Sequence, residues 1–435
     1  MPDMVGSEHH KPTSLRGIAD KAKADKLHRF QDLYRLLDAE LLVYSFSTLN
    51  KDASSGVDGV TWEAYEENLH ANIDMLVERL KSKTYRAKLV RRVFIPKGKG
   101  KRPLGILVIE DKMLQAAVSV VLEAIYEQEF LPFSYGYRPK KGAKDAIRDL
   151  TFDLQYGRYG YVVEVDIKGF FDHLDHDWLI TMLKLRIDDR AFLGLIRKWL
   201  KAGILDNGEV HHPDMGTPQG GVVSPILANV YLHYVLDLWF ERAVKTRCNG
   251  QALISRYCDD FVCAFQFRED AERFYRALPV RLGKFILEVA PEKTGILRFS
   301  RFHPTMKRRF SFLGFEFYWF KDRNGVPRVT RRTARARLIS ACRRIKEWIK
   351  ANRHLPDFFR GLNKKLQGHY NYYGVYGNLH SVYRLVWWVR NCTFKWLNRR
   401  GGKKKSFTWE KFGPILDNAL IRPRITEVKH RRVYA

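Results

Sequence analysis

Residues 254–265 read ISRYCDDFVCAF: two adjacent carboxylates, Asp259 and Asp260, set between short apolar runs at 254–257 and 261–265. Such runs read as strands, and the acidic step between them as the tip of a hairpin. Upstream, residues 161–179 read YVVEVDIKGFFDHLDHDWL, an alternating strand pattern that ends at Asp166. If these strands lie side by side, Asp166, Asp259 and Asp260 converge on one point. Like charges held that close repel, and hard cations that take oxygen ligands, such as Mg²⁺, relieve the repulsion. Two such ions, roughly 3.5–4 Å apart, stabilise both the attacking and the leaving oxygen of a phosphoryl displacement. The chemistry this points to is nucleotide polymerisation with two Mg²⁺, for which Mn²⁺ could substitute. Either feature alone says little, because a single Asp at a strand end is usually a solvated turn residue.

The stretches around the two clusters carry more. They run GVDGVT (56–61), RRVFIPKGKGKRPLGI (91–106), SYGYRPKKGAKDAI (134–147), DIKGFFDHLDHDWL (166–179), GTPQGGVVSPILANVYLHYVLD (216–237), RYCDDFV (256–262), PEKTGILRF (291–299) and FSFLGFEF (310–317). In this order they resemble the motif series of group II intron reverse transcriptases, whose members double as maturases for their own intron RNA. The resemblance covers residues 50–400. It implies an α+β, right-hand polymerase, with fingers and an antiparallel palm sheet followed by a helical thumb, the maturase or X domain. The implied divisions are a disordered 1–14, an N-terminal extension and fingers at 15–110, and a fingers/palm core at 111–325. A thumb at 326–400 and a basic tail at 401–435 complete them. Implied partners are an RNA template, a DNA or RNA primer, deoxynucleoside triphosphates and intron RNA.

Site roles follow from the same resemblance. Asp166, Asp259 and Asp260 are the implied catalytic metal ligands. Lys97 and Arg102 are expected on the incoming triphosphate, where a planar guanidinium suits phosphate. The turn is about a residue shorter than in the family, which leaves Lys101 as the other occupant of the second place. Phe171 is expected under the nucleotide sugar, rejecting a 2′-hydroxyl, while at least one of Phe170 and Phe171 belongs to the core. Gln219 is expected against the nascent base pair, and Lys293 near the departing pyrophosphate, although a single Lys is more often simply solvated. Arg91 and Arg92, in the stretch that resembles the fingers hairpin, and Gly314, in FSFLGFEF, which resembles the primer grip, are expected on nucleic acid. Cys258 stands where the family commonly has Ala; it is small enough to leave metal binding intact.

Charge points to the same partner. The 435 residues carry a formal charge of +29, and residues 321–435 hold 29 Lys and Arg against 6 Asp and Glu. A polycationic segment of that kind gains by releasing counterions from a phosphate backbone. Its aromatics interleave with arginines, as in RNA readers that stack unpaired bases. Arg335, Arg343, Tyr370, Tyr373, Arg384 and Arg390 are the expected contacts there. The spacing of Val382, Leu385, Val386, Val389 and Phe394 reads instead as a helical core face, and most of the tryptophans are assigned to it.

Residues 15–49, 113–125, 195–205 and 227–240 read as helical, and neither of the last two, which are apolar, reaches the roughly 20 apolar residues of a membrane span. No signal peptide is visible, and five scattered cysteines without a CxxC pair suggest a reducing bacterial cytoplasm and no zinc site. His173, His176, His211 and His212 read as surface or hydrogen-bonding residues. No Cys- and His-bearing nuclease domain follows the thumb-like region, so an endonuclease-lacking form is expected. Two further readings stand beside the intron enzyme: a domesticated relative in DNA repair or CRISPR spacer acquisition, and an RNA-binding splicing cofactor with a vestigial site. Against the latter, every expected acidic and basic active-site residue is present. Oligomeric state is not set by the sequence.

Overall fold

Along the chain the strands are β1 (Val90–Lys97), β2 (Gly100–Ile106), β3 (Tyr161–Asp166), β4 (Ile204–Asp206), β5 (Glu209–His211), β6 (Ala252–Tyr257), β7 (Asp260–Phe265), β8 (Gly295–Arg298), β9 (Arg309–Phe312), β10 (Phe315–Lys321) and β11 (Pro327–Thr333). The computed structural model describes residues 13–97, 100–217, 220–400 and 406–427. The strands form three sheets, ordered β2-β1-β4-β5, β6-β7-β3-β8 and β11-β10-β9. The second and third are antiparallel throughout, and the first contains one parallel pair, β1 with β4.

The middle sheet positions the site. Successive side chains of β3 point to opposite faces, and both faces are covered. Val163 and Val165 enter a large helical core with Leu114, Val118 and Leu227, whereas Val162 joins a second core with Phe310, Phe312 and Phe317. Ile109–Tyr126 is a helix buried on nearly every side, which fits its scarcity of polar positions. The expected helix at 113–125 is therefore present and longer. Ser224–Leu232 is helical and continues through π-helical turns at His233–Asp237 and Phe240–Val244.

Other expectations need correction. Thr13 and Ser14, in the segment 1–14 expected to be disordered, open a helix, Thr13–Ala24; the rest of that segment lies outside the described residues. Residues 15–49 are not one helix. The Asp25 carboxylate accepts from the N–H groups of Leu27 and His28, turning the chain, and Asp38 caps a second helix, Ala39–Ser47. The helix expected at 195–205 is Arg190–Leu200, capped by Asp189; beyond Gly203 the chain enters β4.

After β11 come the helices Arg335–Asn352, Phe358–Tyr373, Leu379–Leu397 and Trp409–Ala419, packed around Ile349, Leu366, Leu385, Val389 and Leu416. The last of these lies in the segment assigned to a basic tail. Phe412, Leu416 and Leu420 give it an apolar face that the other helices cover. Residues beyond it return to β11 and to the helix Ala143–Tyr156. Both carboxylate oxygens of Glu427 accept from Arg331 Nη2 at 2.6 Å, and Lys144 donates to Thr426 at 2.8 Å.

Candidate active site

The β6–β7 hairpin is closed by Cys258 and Asp259, between the paired residues Tyr257 and Asp260. Tight hairpin turns need positive φ, and Cys258 supplies it at +58°. Its thiol is buried beside Gly136, where a Cβ would come within 2.6 Å of the Cys258 nitrogen. Any larger residue at 136 would push the turn away.

Across the sheet Asp166 pairs directly with Asp260. Burial pushes the Asp260 carboxyl up to about 7, and Asp259, Asp166 and Glu164 push the same way; a hydrogen bond from the Leu313 N–H opposes them. Leu313 and Gly314, both at positive φ, form the tip of the β9–β10 hairpin. The Tyr372 hydroxyl donates to the Leu313 carbonyl at 2.9 Å, and a Cβ on Gly314 would lie 3.0 Å from the Tyr373 hydroxyl. That close approach, together with its +77° φ, accounts for a glycine there.

Asp166 already has a cation. Lys293 Nζ lies 2.6 Å from its Oδ2, and this bond raises the Lys293 pKa. Among the described residues no three His, Cys, Asp or Glu side chains stand together ready to hold a metal ion. Asp166 and Asp260 thus face each other across the sheet, Asp259 stands in the adjoining turn, and a lysine sits on Asp166. The donor set suits a hard divalent cation, because its ligands are all oxygens and the repulsion from Asp259 and Asp166, which adds to burial in raising Asp260, is what such an ion relieves.

Behind the turn lies a residue that the sequence reading passed over. Arg256 is fully buried. It forks onto Asp237 at 2.7 and 2.6 Å and reaches Asn229 Oδ1, Ser134 Oγ and the Cys258 carbonyl. The signal available was an Arg placed two residues before a buried turn in an apolar strand. His176 is also buried, with Nε2 2.6 Å from the Gly216 carbonyl oxygen.

Phe170 is core and packs edge-on against half-buried Phe171, their centroids 5.3 Å apart. Phe171 lines a cleft of about 320 Å³ with Arg92, Pro103, Gly105 and Thr217. The Thr217 N–H donates to the Phe171 carbonyl, linking this segment to the loop after Gly216. Gln219 and the Lys97 side chain lie outside the described residues. Arg102, on β2 opposite Ile95, is half-buried, whereas Lys101 is exposed. Arg91 donates to the Ser55 carbonyl and Arg92 pairs with Asp206 at 3.2 Å, so both brace the hairpin locally.

In the C-terminal helices one assignment is overturned. Tyr370 is fully buried and donates to the Ile421 carbonyl, because it faces the helical core, so it cannot stack on RNA. Tyr373 is half-buried against Phe315. Of the tryptophans, most of which are assigned to the core, Trp387 is 66% exposed. Arg335, Arg343 and Arg384 are exposed, while Arg390 is paired with Asp417 at 2.9 Å. Among the described residues no helix is long and apolar enough to cross a membrane.

Comparison with known proteins adds independent findings. A family model described as reverse transcriptase (RNA-dependent DNA polymerase) matches residues 95–317, and one for the group II intron maturase-specific domain matches residues 339–412. The chain is 38% identical over 237 residues to the group II intron-encoded protein LtrA of Lactococcus lactis subsp. cremoris, a match covering 52% of this chain and 39% of LtrA. It is 32% identical over 350 residues to protein YkfC of Escherichia coli K12, covering 72% of this chain and 90% of YkfC. A 91 kDa protein in the cob intron of Schizosaccharomyces pombe is 36% identical over 229 residues, which cover 52% of this chain and 28% of that protein. The chain therefore spans well under half the length of two of these relatives.

Proposed function

Because this chain belongs to the reverse transcriptase (RNA-dependent DNA polymerase) family and carries a group II intron maturase-specific domain, we propose that it extends a DNA or RNA primer along an RNA template with deoxynucleoside triphosphates, and binds intron RNA to assist splicing and mobility. The observation that carries this reading is the cross-strand pair Asp166–Asp260, with Asp259 in the adjoining turn. On this reading the β6-β7-β3-β8 sheet is the palm, within a core at 111–325. Residues 15–110 are the N-terminal extension and fingers, and the helices from Arg335 onward are the thumb. The protein acts in the cytoplasm of a bacterium, as LtrA and YkfC, both bacterial, suggest.

Asp166 and Asp259 would be the principal ligands of two Mg²⁺, or Mn²⁺ in their place, with Asp260 beside them. When bound, the ions stabilise charge on the attacking and leaving oxygens of the displacement. The protein's own groups do the rest. Lys97 and Arg102 hold the triphosphate, and Gln219 lies against the nascent base pair. Phe171 closes the space a 2′-hydroxyl would need. Lys293 holds positive charge beside Asp166, where it can give a proton to departing pyrophosphate. Gly314 lets the β9–β10 tip approach the primer end, and Arg335, Arg343 and Arg384 meet the phosphate backbone.

Asp259→Ala tests this reading. Primer extension on an RNA template should fall to background while RNA binding stays. Extension that persists in the variant would overturn it.

A further inference from the structure

The peptide that joins Gly216 to Thr217 is gripped at both ends. Its N–H, that of Thr217, donates to the Phe171 carbonyl at 2.9 Å. Its oxygen, that of Gly216, lies 2.6 Å from His176 Nε2. A carbonyl oxygen can only accept, so the imidazole is the donor. The N–H and C=O of a planar trans peptide point in opposite directions. Two such bonds therefore fix the orientation of the whole plane. His176 is placed for this by its own helix, His176–Lys184, of which it is the first residue. The start of that helix is set by the Asp175 carboxylate, which accepts from the Trp178 N–H at 2.7 Å. The His176 ring is buried, so solvent does not compete for the bond.

What the gripped peptide bears on is the segment of Phe171. A Cβ on Gly216 would come within 2.9 Å of the Phe171 carbonyl oxygen and 2.8 Å of that of Asp172. The backbone at 216 thus lies directly against the short turn Phe170–Asp172 that carries the Phe171 ring. That turn is entered through Gly169 at a φ of +53° and is only three residues long, so it has little rigidity of its own. The Thr217 N–H braces it from outside, at its middle residue. Gly216 itself sits at +86°, and a glycine there lets the following peptide rotate at little cost unless something holds it. Phe171, Gly216 and Thr217 all line the same 320 Å³ cleft, so a shift of this backbone is felt where the ring meets open space.

We propose that His176 is a positioning residue for nucleotide selection: through the Gly216–Thr217 peptide it holds the Phe171 ring where that ring excludes a 2′-hydroxyl. Without the imidazole donor the peptide rotates about the Gly216 backbone and the Thr217 N–H leaves the Phe171 carbonyl. The ring then has room to yield to a ribose. His176 is buried behind the turn and acts only through backbone, so its loss changes which sugar is accepted more than it changes the chemistry at Asp166 and Asp259. This inference rests on the role proposed for Phe171, and the test separates the two.

The experiment measures single-turnover incorporation of a deoxynucleotide and of the matching ribonucleotide by the full chain on a preformed DNA primer and RNA template. His176→Leu fills the space without a donor. It should lower the deoxy-over-ribo preference by about fivefold or more, a share of the roughly 10–200-fold that apolar bulk in a pocket provides. The change should lie in a tighter apparent Kd for the ribonucleotide. A loss of stability alone would lower both rates together and leave the preference unchanged, which overturns the inference. His176→Gln, whose amide nitrogen can take the place of Nε2, should restore most of the preference. In a Phe171→Ala background His176→Leu should have no further effect, because its route to the sugar is already gone; an additive loss overturns the inference. Should His176→Leu not fold, Ser224→Ala removes the hydroxyl 2.5 Å from Thr217 Oγ1 and loosens the same segment. It should lower the preference likewise, and an unchanged preference again overturns the inference. If Phe171→Ala itself leaves the preference unchanged, the role proposed for Phe171 fails and the inference falls with it. If the unsubstituted chain extends no primer, the proposed function fails, and both fall together.

Discussion

Arg256 donates from Nη1 to the carbonyl oxygen of Cys258 at 3.1 Å, tying a fully buried guanidinium to the turn that presents Asp259. The other donors of the fork are held by Asp237, Ser134 and Asn229, so the turn hangs on a buried ion pair. Arg256→Met leaves the Asp237 carboxylate buried without its partner, which should cost about 3–5 kcal/mol. Replacing both partners with apolar residues should recover much of that loss. Urea denaturation of the single and double variants checks it.

Phe171→Ala opens the space proposed to exclude a 2′-hydroxyl. Discrimination between deoxy- and ribonucleotides should fall by roughly 10–200-fold, the range for changing apolar bulk in a pocket. Because Phe170 fills the core and Phe171 is only half-buried, the fold should survive. Single-turnover incorporation of the two nucleotide types measures the ratio.

A buried histidine, His233, and a half-buried one, His369, make the fold acid-sensitive. Burial, with Arg256, Arg242, Arg138 and Lys26 adding to it, pushes His233 down to about 3. Burial and Arg344 push His369 down to about 4. The unfolded chain takes up these protons near 6.5 and the folded one does not, so stability is lost as pH falls below 6.5. From pH 6.5 to 5 the loss should approach about 2 kcal/mol per histidine. Denaturation midpoints at pH 7.5 and 5.0 should lie closer together in His369→Gln than in the unsubstituted chain.

Glu427 links three parts of the molecule. Its carboxylate accepts from Arg331 on β11 and from the N–H of Tyr376, while Arg331 also donates to the Ile147 carbonyl and to Thr151. Glu427→Ala strands a buried guanidinium and should destabilise by about 3–5 kcal/mol. Glu427→Gln, which keeps the shape and part of the hydrogen bonding, should cost less. Thermal midpoints of the two variants rank them.

Local pattern made the strands of the active site legible. Alternation along 161–166 and the acidic step at 259–260 predict a hairpin beside a strand, and β3, β6 and β7 form as expected. Helix limits were less legible where a polar side chain, rather than periodicity, sets the boundary, as with Asp25 after the first helix and Asp189 at the start of Arg190–Leu200. The helix in the tail was not read because the Gly401–Lys405 run marks a breaker and draws the reading to charge, away from the apolar spacing of Phe412, Leu416 and Leu420. Tyr370 and Trp387 show the same limit: both lie on amphipathic helices rich in aromatics, and only the packing of neighbouring helices says which ring is covered.

The order of motifs, the acidic residues and the polycationic C-terminal quarter were set by sequence, since each depends only on residue identity and short-range periodicity. Tertiary structure alone decided the Asp166–Lys293 bond, the buried Arg256–Asp237 support and the His176–Gly216 bond. These join residues 127, 19 and 40 positions apart. Contacts at such separations are chosen by how whole elements pack, because burial energy is summed over surfaces that local sequence does not specify.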